Sequence, residues 1–266
     1  MSLNAFTPHR PAREPMVNVP LAVVVLIGIL VVIHVARLAI GEETDFRVLV
    51  DFAFVPARLT IAIMPSQLDD ILAAAASRGG QNVLLAQLLL QEGSKLWTLI
   101  THAFLHGSWT HLIFNALWLL AFGSPVARRF GAARFFLLLA LCAVAGAVFY
   151  ALFNPYGTIP MIGASGAISG VMAAACRFVF QPGMPWLGHQ EGMGEFARAQ
   201  SWREILRDRR AMSFIAVWFG VNLVFGVVAS PLGLADGGIA WEAHIGGFVA
   251  GFLLFPLLDP VARRRR

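Results

Sequence analysis

Six long apolar segments constrain this chain of 266 residues more than any other feature. The first reads PLAVVVLIGILVVIHVARLAI, and most of the others also come close to the ~20 residues that an α-helix needs to cross a bilayer. The composition agrees, because 58% of the residues are hydrophobic and 13% are charged. We therefore predict an all-α polytopic membrane protein, a bundle of six transmembrane helices. The segments lie at 20–40, 108–123, 134–153, 163–180, 211–229 and 241–258.

The predicted domain organisation follows from these segments. Residues 20–258 form one membrane domain, preceded by a cytoplasmic segment, 1–19, and followed by a basic cytoplasmic tail, 259–266. The connection 41–95 is unusually long and contains amphipathic pieces such as SQLDDILAAAA (66–76). Such a piece favours the membrane surface, so we expect an interfacial loop on the outer side.

The lysines and arginines predict the orientation, since cytoplasmic connections are enriched in them. If the six spans cross the membrane in alternating directions, 15 lysines and arginines lie on one side and 5 on the other. We therefore expect a protein of the cell (inner) membrane with both termini in the cytoplasm. The net charge of +5 is explained by this orientation and needs no nucleic-acid partner. The smaller set is Arg37, Arg47, Arg58, Arg78 and Lys95.

Three polar residues should then lie near the outer ends of the second, fourth and sixth spans: His111, Ser165 and His244. Ser108 is a candidate N-cap for the second span, and Asn115 follows His111 by four residues, on the same helix face. The second and fourth spans look too short for a hydrocarbon core of ~30 Å, at about 22 and 24 Å. Short spans of this kind indicate loop backbone that lines a watery cavity within the membrane.

Small residues recur every four positions in the fourth and sixth spans. Such stripes let two membrane helices approach backbone to backbone. If these two faces pack together, Ser165 and His244 come within hydrogen-bonding distance, as a nucleophile and its base require. The stripes are Gly166, Gly170 and Ala174 in one span, and Ala243, Gly247 and Gly251 in the other.

Three motifs, HGSWTHLIFN (106–115), GASG (163–166) and AHIGG (243–247), occur in this order along the second, fourth and sixth spans. With them the sequence resembles the six-span, bacterial type of rhomboid intramembrane serine protease from residue 20 to 258. The resemblance implies that Ser165 is the nucleophile and His244 the general base of a dyad. It also implies that His111, Asn115 and the Ser165 N–H hold the oxyanion.

The resemblance extends to residues around this dyad. It implies a structural role for His106, which would tie the first loop to the second span, and places Phe114 and Trp118 near substrate entry. Gly163, Gly166 and Gly247 would keep side chains away from the site. The expected substrates are single-span membrane proteins in the lipid bilayer, cut near the extracytoplasmic face. No metal or cofactor is implied, and the oligomeric state stays open.

The sequence departs from the family pattern in two places. The first loop lacks the Trp-Arg pair of many members, and Ser169 stands where many have a tyrosine packed against the base histidine. The anchoring of the loop and the orientation of His244 are therefore open questions. Glu242 is better explained as a solvated interface charge than as a third catalytic residue.

The polar residues also allow other interpretations than a protease. Ser165 and Ser169 could simply bond backbone carbonyls, and Asn115 could be a contact between helices. A zinc site from His102, His106 and His111 lacks the glutamate of H-E-x-x-H. A transporter would be expected to show an inverted repeat, which is not found here. The main alternative is a catalytically silent rhomboid-like protein that binds transmembrane helices.

Three further residues are given structural roles. Cys142 and Cys176 lie inside apolar stretches and behave as small core hydrophobes. His34 lies near the outer end of the first span with no evident partner, and we expect it to be structural.

Overall fold

The computed structural model describes residues 19–181, 198–224, 226 and 240–263. These residues form a helical bundle, and their one β-type contact is an isolated bridge between Phe54 and Met161. The predicted all-α polytopic fold is thereby confirmed. The helices are α1 Leu21–Ala39, α2 Glu42–Phe52, α3 Pro56–Ile63, α4 Leu68–Ala76, α5 Gly80–Gln91, α6 Thr98–Thr101, α7 Trp109–Trp118, α8 Ser124–Phe130, α9 Ala132–Phe153, α10 Ser165–Cys176, α11 Trp202–Ile205, α12 Arg209–Leu223, α13 Trp241–Leu258 and α14 Pro260–Arg263.

Within the described residues, four helical stretches are long and apolar enough to cross a membrane. They are Leu21–Ala39, Trp109–Phe130, Ala132–Phe153 and Trp241–Leu258, and the shorter apolar helix α10 lies among them. The predicted fifth span, 211–229, corresponds to α12, and its last residues lie outside the described part of the chain. The count of six spans therefore stays a prediction.

The second span is longer than predicted. Helix continues past Gly123 through a π turn, Leu119–Gly123, into α8, so the stretch has 22 residues and a length of ~33 Å. The expectation of a short span at 108–123 is wrong. Pro125 does not end the helix, because it lies in the first turn of α8, directly after the wider π turn, where a missing N–H is tolerated. The fourth span is short, as expected: α10 has 12 residues, ~18 Å.

Helix α10 is the centre of the bundle. Every residue from Gly166 to Cys176 is buried, and the helix packs against α9 and α13. Most of these side chains are very small, so the neighbouring helices approach its backbone closely. Cys142 of α9 and Cys176 are both buried free thiols in this packing, which confirms their interpretation as core residues.

The contact between α10 and α13 is made by backbone. A Cβ atom built on Gly247 would lie 1.9 Å from the carbonyl oxygen of Gly166. One built on Gly251 would lie 2.0 Å from the carbonyl oxygen of Gly170. The two small-residue faces therefore pack on each other as the spacing predicted, and no side chain fits between them.

The first loop is held by buried cations rather than by a Trp-Arg pair. Arg58 is buried and donates to the carbonyl oxygens of Leu89 (2.8 Å) and Val50 (2.6 Å). Lys95 is also buried, and its Nζ lies 2.5 Å from a carboxylate oxygen of Asp51. These contacts join α2, α3 and α5 into one unit. Its predicted place on the membrane surface stays a prediction.

A buried ion pair fixes the far end of α13. Arg129 of α8 donates to both carboxylate oxygens of Asp259, at 2.9 and 2.8 Å. Its guanidinium also lies against the rings of Phe178 and Phe255, at 4.8 and 5.4 Å from their centroids. With the glycine contact near its start and this pair just past its end, α13 is held along its whole length.

Candidate active site

The packing of α10 on α13 brings Ser165 and His244 together. Ser165 is the first residue of α10, and His244 lies in the first turn of α13. The Ser165 hydroxyl lies 2.7 Å from Nε2 of His244, a hydrogen-bonding distance. The stripes explain the contact, because a Cβ on Gly166 would already lie 3.2 Å from the carbonyl oxygen of Ala243. Ser165, next to Gly166, and His244, next to Ala243, are thus aligned by backbone contact.

The other imidazole nitrogen of His244 has a partner that sequence reasoning missed. Its Nδ1 lies 2.5 Å from Oδ1 of Asn222, which is contributed by α12. Asn222 also donates from Nδ2 to the carbonyl oxygen of Trp218, at 2.7 Å. The available signal was an amide inside the apolar segment 211–229, where polar side chains are expected to face a partner.

His111 lies beside Gly163, close to Ser165. It occupies the first turn of α7, which Ser108 caps by accepting a hydrogen bond from the His111 N–H at 3.2 Å. The predicted N-cap is confirmed. A Cβ on Gly163 would lie 2.6 and 2.7 Å from Cε1 and Nε2 of His111, and 3.7 Å from the Ser165 hydroxyl oxygen.

Gly163 is the residue that permits this approach. Its φ of +121° belongs to the region that favours glycine, and the imidazole of His111 occupies the space of a side chain. The GASG motif therefore does two things here. It turns the chain into α10, and it leaves room for His111 beside Ser165.

Asn115 is buried one turn after His111. The hydrogen bond that the structure shows for it runs from Nδ2 to the carbonyl oxygen of His111, at 3.1 Å. An amide has two N–H groups, so a second donor remains for another acceptor. Its predicted oxyanion role rests on that second N–H.

The ring of His106 packs against the ring of His111. The two rings meet edge to face with centroids 5.0 Å apart, and burial lowers the pKa of His106 to about 3. Its backbone carbonyl accepts a hydrogen bond from Arg37 at 3.0 Å, and Arg37 also pairs with Asp45 at 2.6 Å. The tie between loop and helix expected of this histidine thus passes through its backbone and Arg37.

His102, considered in the sequence only as a zinc ligand, holds the GASG motif. Its carbonyl oxygen accepts a hydrogen bond from the N–H of Gly163 at 2.9 Å. Its ring donates from Nδ1 to the carbonyl oxygen of Thr98 at 2.8 Å, and burial lowers its pKa to about 4. Across the part of the chain that the structure describes, no three His, Cys, Asp or Glu side chains are grouped as metal ligands.

Three other predicted roles have clear outcomes. The hydroxyl of Ser169 donates to the carbonyl oxygen of Ser165 at 2.7 Å, which confirms its structural interpretation. Glu242 differs from the expected solvated charge: it is half-buried and accepts a hydrogen bond from Asn154 at 3.1 Å, because α9 ends beside the start of α13. His34 is buried with its ring edge-on to Trp109, at 4.7 Å.

Phe114 and Trp118 are exposed on the surface of α7. Their exposed fractions are 57% and 40%, and they lie four residues apart on one face of α7. An exposed aromatic face on an apolar helix is suited to contact with lipid or with another membrane helix. Both side chains are therefore accessible to a neighbouring membrane helix.

Comparison with known proteins gives the family. The rhomboid domain model matches residues 93–260, which include α7, α10, α12 and α13. The chain belongs to the rhomboid family. This rhomboid protein is embedded in a membrane by the apolar helices described above.

Relatives of this rhomboid protein include named proteases. It is 32% identical over 161 residues to rhomboid protease GlpG of Serratia proteamaculans, over 60% of this chain and 47% of that protein. It is 30% identical over 172 residues to rhomboid protease GluP of Bacillus subtilis, over 65% of this chain and 27% of that protein. The chain thus spans about half, or less, of the length of these relatives.

Proposed function

We propose that this rhomboid protein is an intramembrane serine endopeptidase with a Ser165–His244 dyad. The observation that carries the proposal is the 2.7 Å distance between the Ser165 hydroxyl and Nε2 of His244. A hydroxyl is a weak nucleophile at neutral pH unless a base removes its proton as it attacks. The small-residue contact that aligns the pair and the named relatives add support.

In the proposed reaction Ser165 attacks the carbonyl carbon of a peptide bond while His244 takes its proton. The tetrahedral intermediate collapses when His244 returns that proton to the leaving amine, which breaks the C–N bond. Water, activated by the same imidazole, then hydrolyses the acyl-enzyme and restores Ser165. No metal or cofactor takes part in these steps.

The negative charge that develops on the former carbonyl oxygen needs hydrogen-bond donors near Ser165. As the first residue of α10, Ser165 has an N–H without an acceptor inside the helix. His111, across Gly163, and the second N–H of Asn115 are the proposed side-chain donors. Donors held in place before the reaction stabilise the oxyanion without reorganisation.

We expect His111→Ala and Asn115→Ala each to lower kcat by about 10²–10³, or roughly 2–4 kcal/mol, because each removes one oxyanion donor. The measurement is turnover of a single-span reporter by the purified variants, with thermal unfolding as a test of folding. Ile113→Ala, an exposed position on the same helix, is the matched control. If a folded His111→Ala or Asn115→Ala variant keeps the parental kcat, that residue does not stabilise the oxyanion.

The proposed substrates are single-span membrane proteins that approach through the bilayer, past Phe114 and Trp118. Cleavage takes place near the extracytoplasmic face of the cell (inner) membrane, with both termini of the enzyme in the cytoplasm. The orientation is supported by the 15-to-5 distribution of lysines and arginines.

This orientation predicts a labelling pattern in intact cells. A cysteine replacing Ser77, exposed in the first loop, should react with an impermeant thiol reagent. One replacing Leu206, exposed between α11 and α12, should react only after permeabilisation. The parent chain gives the background, because Cys142 and Cys176 are buried. Labelling of Leu206→Cys but not Ser77→Cys in intact cells would invert the proposed topology.

Purified protein in detergent, incubated with a single-span reporter, tests the proposed function. We expect cleavage near the outer end of the reporter helix, and no effect of a chelator. A parent protein that binds the reporter but never cuts it supports the catalytically silent alternative. Loss of cleavage on chelation, with Ser165→Ala still active, supports a metal enzyme instead.

A further inference from the structure

We propose that Asn222 is the positioning residue of His244, the base of the proposed Ser165–His244 dyad. The inference rests on the proposed serine protease function and extends it to a residue on a third helix, α12. Asn222 touches His244 rather than the reacting atoms, so its action is exerted through the imidazole.

The hydrogen bonds of Asn222 determine which way its amide faces. Nδ2 donates to the carbonyl oxygen of Trp218 at 2.7 Å. A flipped amide would set its oxygen against that carbonyl oxygen, and two acceptors repel each other. Oδ1 therefore faces Nδ1 of His244, at 2.5 Å.

This arrangement selects one tautomer of His244. Oδ1 of Asn222 only accepts, so Nδ1 of the imidazole has to carry the proton and donate it. Nε2 is then unprotonated and faces the Ser165 hydroxyl at 2.7 Å. This is the tautomer that a general base needs, and the wrong one is costly in serine proteases.

The packing of α12 on α13 holds Asn222 at this position. The ring of Trp218 stacks on Phe248, with centroids 4.6 Å apart and an angle of 25° between the planes. Phe248 lies one turn after His244 on α13, and Phe219 contacts the same ring at 5.6 Å. Asn222 itself is only 8% exposed, so its amide has few competing partners.

Asn222 also explains how His244 is oriented although Ser169 stands where many family members have a tyrosine. The Ser169 hydroxyl is engaged by the carbonyl oxygen of Ser165, and its side chain is too short to cover the imidazole as a tyrosine would. The orientation of His244 is thus set by the hydrogen-bond acceptor on α12. A neutral amide holds the tautomer while adding no charge to the membrane interior.

Two substitutions separate positioning from packing. Asn222→Leu keeps the shape and removes the acceptor, so kcat should fall about 10–100-fold, as for other partners that orient a histidine, with KM unchanged. Asn222→Asp keeps the acceptor and should retain turnover. Its acid limb in the pH–rate profile should move to higher pH, because the carboxylate stabilises the imidazolium.

Val221→Ala, at the neighbouring exposed position, is the control for a change in α12. A folded Asn222→Leu with the parental kcat overturns the inference. If Asn222→Leu fails to fold, an Asn222→Asp profile that superimposes on the parental one overturns it. Ser165→Ala separates a failure of this inference from a failure of the proposed function. Only the inference about Asn222 fails if the parent cuts, Ser165→Ala does not cut, and the Asn222 variants match the parent. If the parent never cuts, the proposed function fails.

Discussion

Ser165→Ala and His244→Ala should each reduce cleavage by a factor on the order of 10⁶, and the double variant should be no slower than either. The reason is that hydroxyl and imidazole act as one unit across their 2.7 Å contact. Once one partner is absent, the other has no chemistry left to supply. Single-turnover cleavage of a reporter by the three purified variants measures this non-additivity.

Ser169→Ala is the matched control for this experiment. It removes a hydroxyl one turn later on α10 that only donates to the Ser165 carbonyl oxygen. We expect a loss of a few-fold at most. Multiplying losses in the double variant would instead indicate that Ser165 and His244 contribute independently, and the dyad would have to be abandoned.

Gly247→Leu should abolish activity although Gly247 touches no reacting atom. Its Cβ would lie 1.9 Å from the backbone oxygen of Gly166, and backbone cannot move aside as a flexible side chain can. The two helices would have to separate, which displaces Ser165 from His244. A misplacement of ~1 Å in a catalytic group is enough to cost about 10²-fold in rate.

Gly28→Leu is the control, since a Cβ at Gly28 of α1 meets nothing within 4 Å. This variant should keep both its turnover and its thermal stability. Activity and thermal unfolding should be measured together for both variants. A folded Gly247→Leu with most of its turnover is incompatible with the helix contact described here.

The proximity of Ser165 and His244 was predictable because membrane helices obey simple spacing rules. Glycine and alanine every four residues mark the face where two backbones meet. Ser165 and His244 each lie beside such a stripe, so their proximity follows from packing alone. The bounds of α13, Trp241–Leu258, also follow from the apolar run that encodes it.

The residues that escaped prediction are those whose partners come from other helices. Apolar periodicity shows which face of α12 is buried, but not that the Asn222 oxygen meets His244. Arg58 looks like one more outer cation in the sequence, yet it is buried on two carbonyl groups of the first loop. The second span passes Pro125 because a π turn precedes it, and no local pattern signalled that turn.

Covalent labelling can identify Ser165 as the nucleophile. The parent protein is incubated with a serine-directed acylating inhibitor, and the modified residue is identified by mass spectrometry. We expect one adduct, on the Ser165 oxygen, absent from Ser165→Ala and formed far more slowly by His244→Ala. An adduct on another residue, or a Ser165→Ala protein that still cuts a membrane substrate, would contradict it.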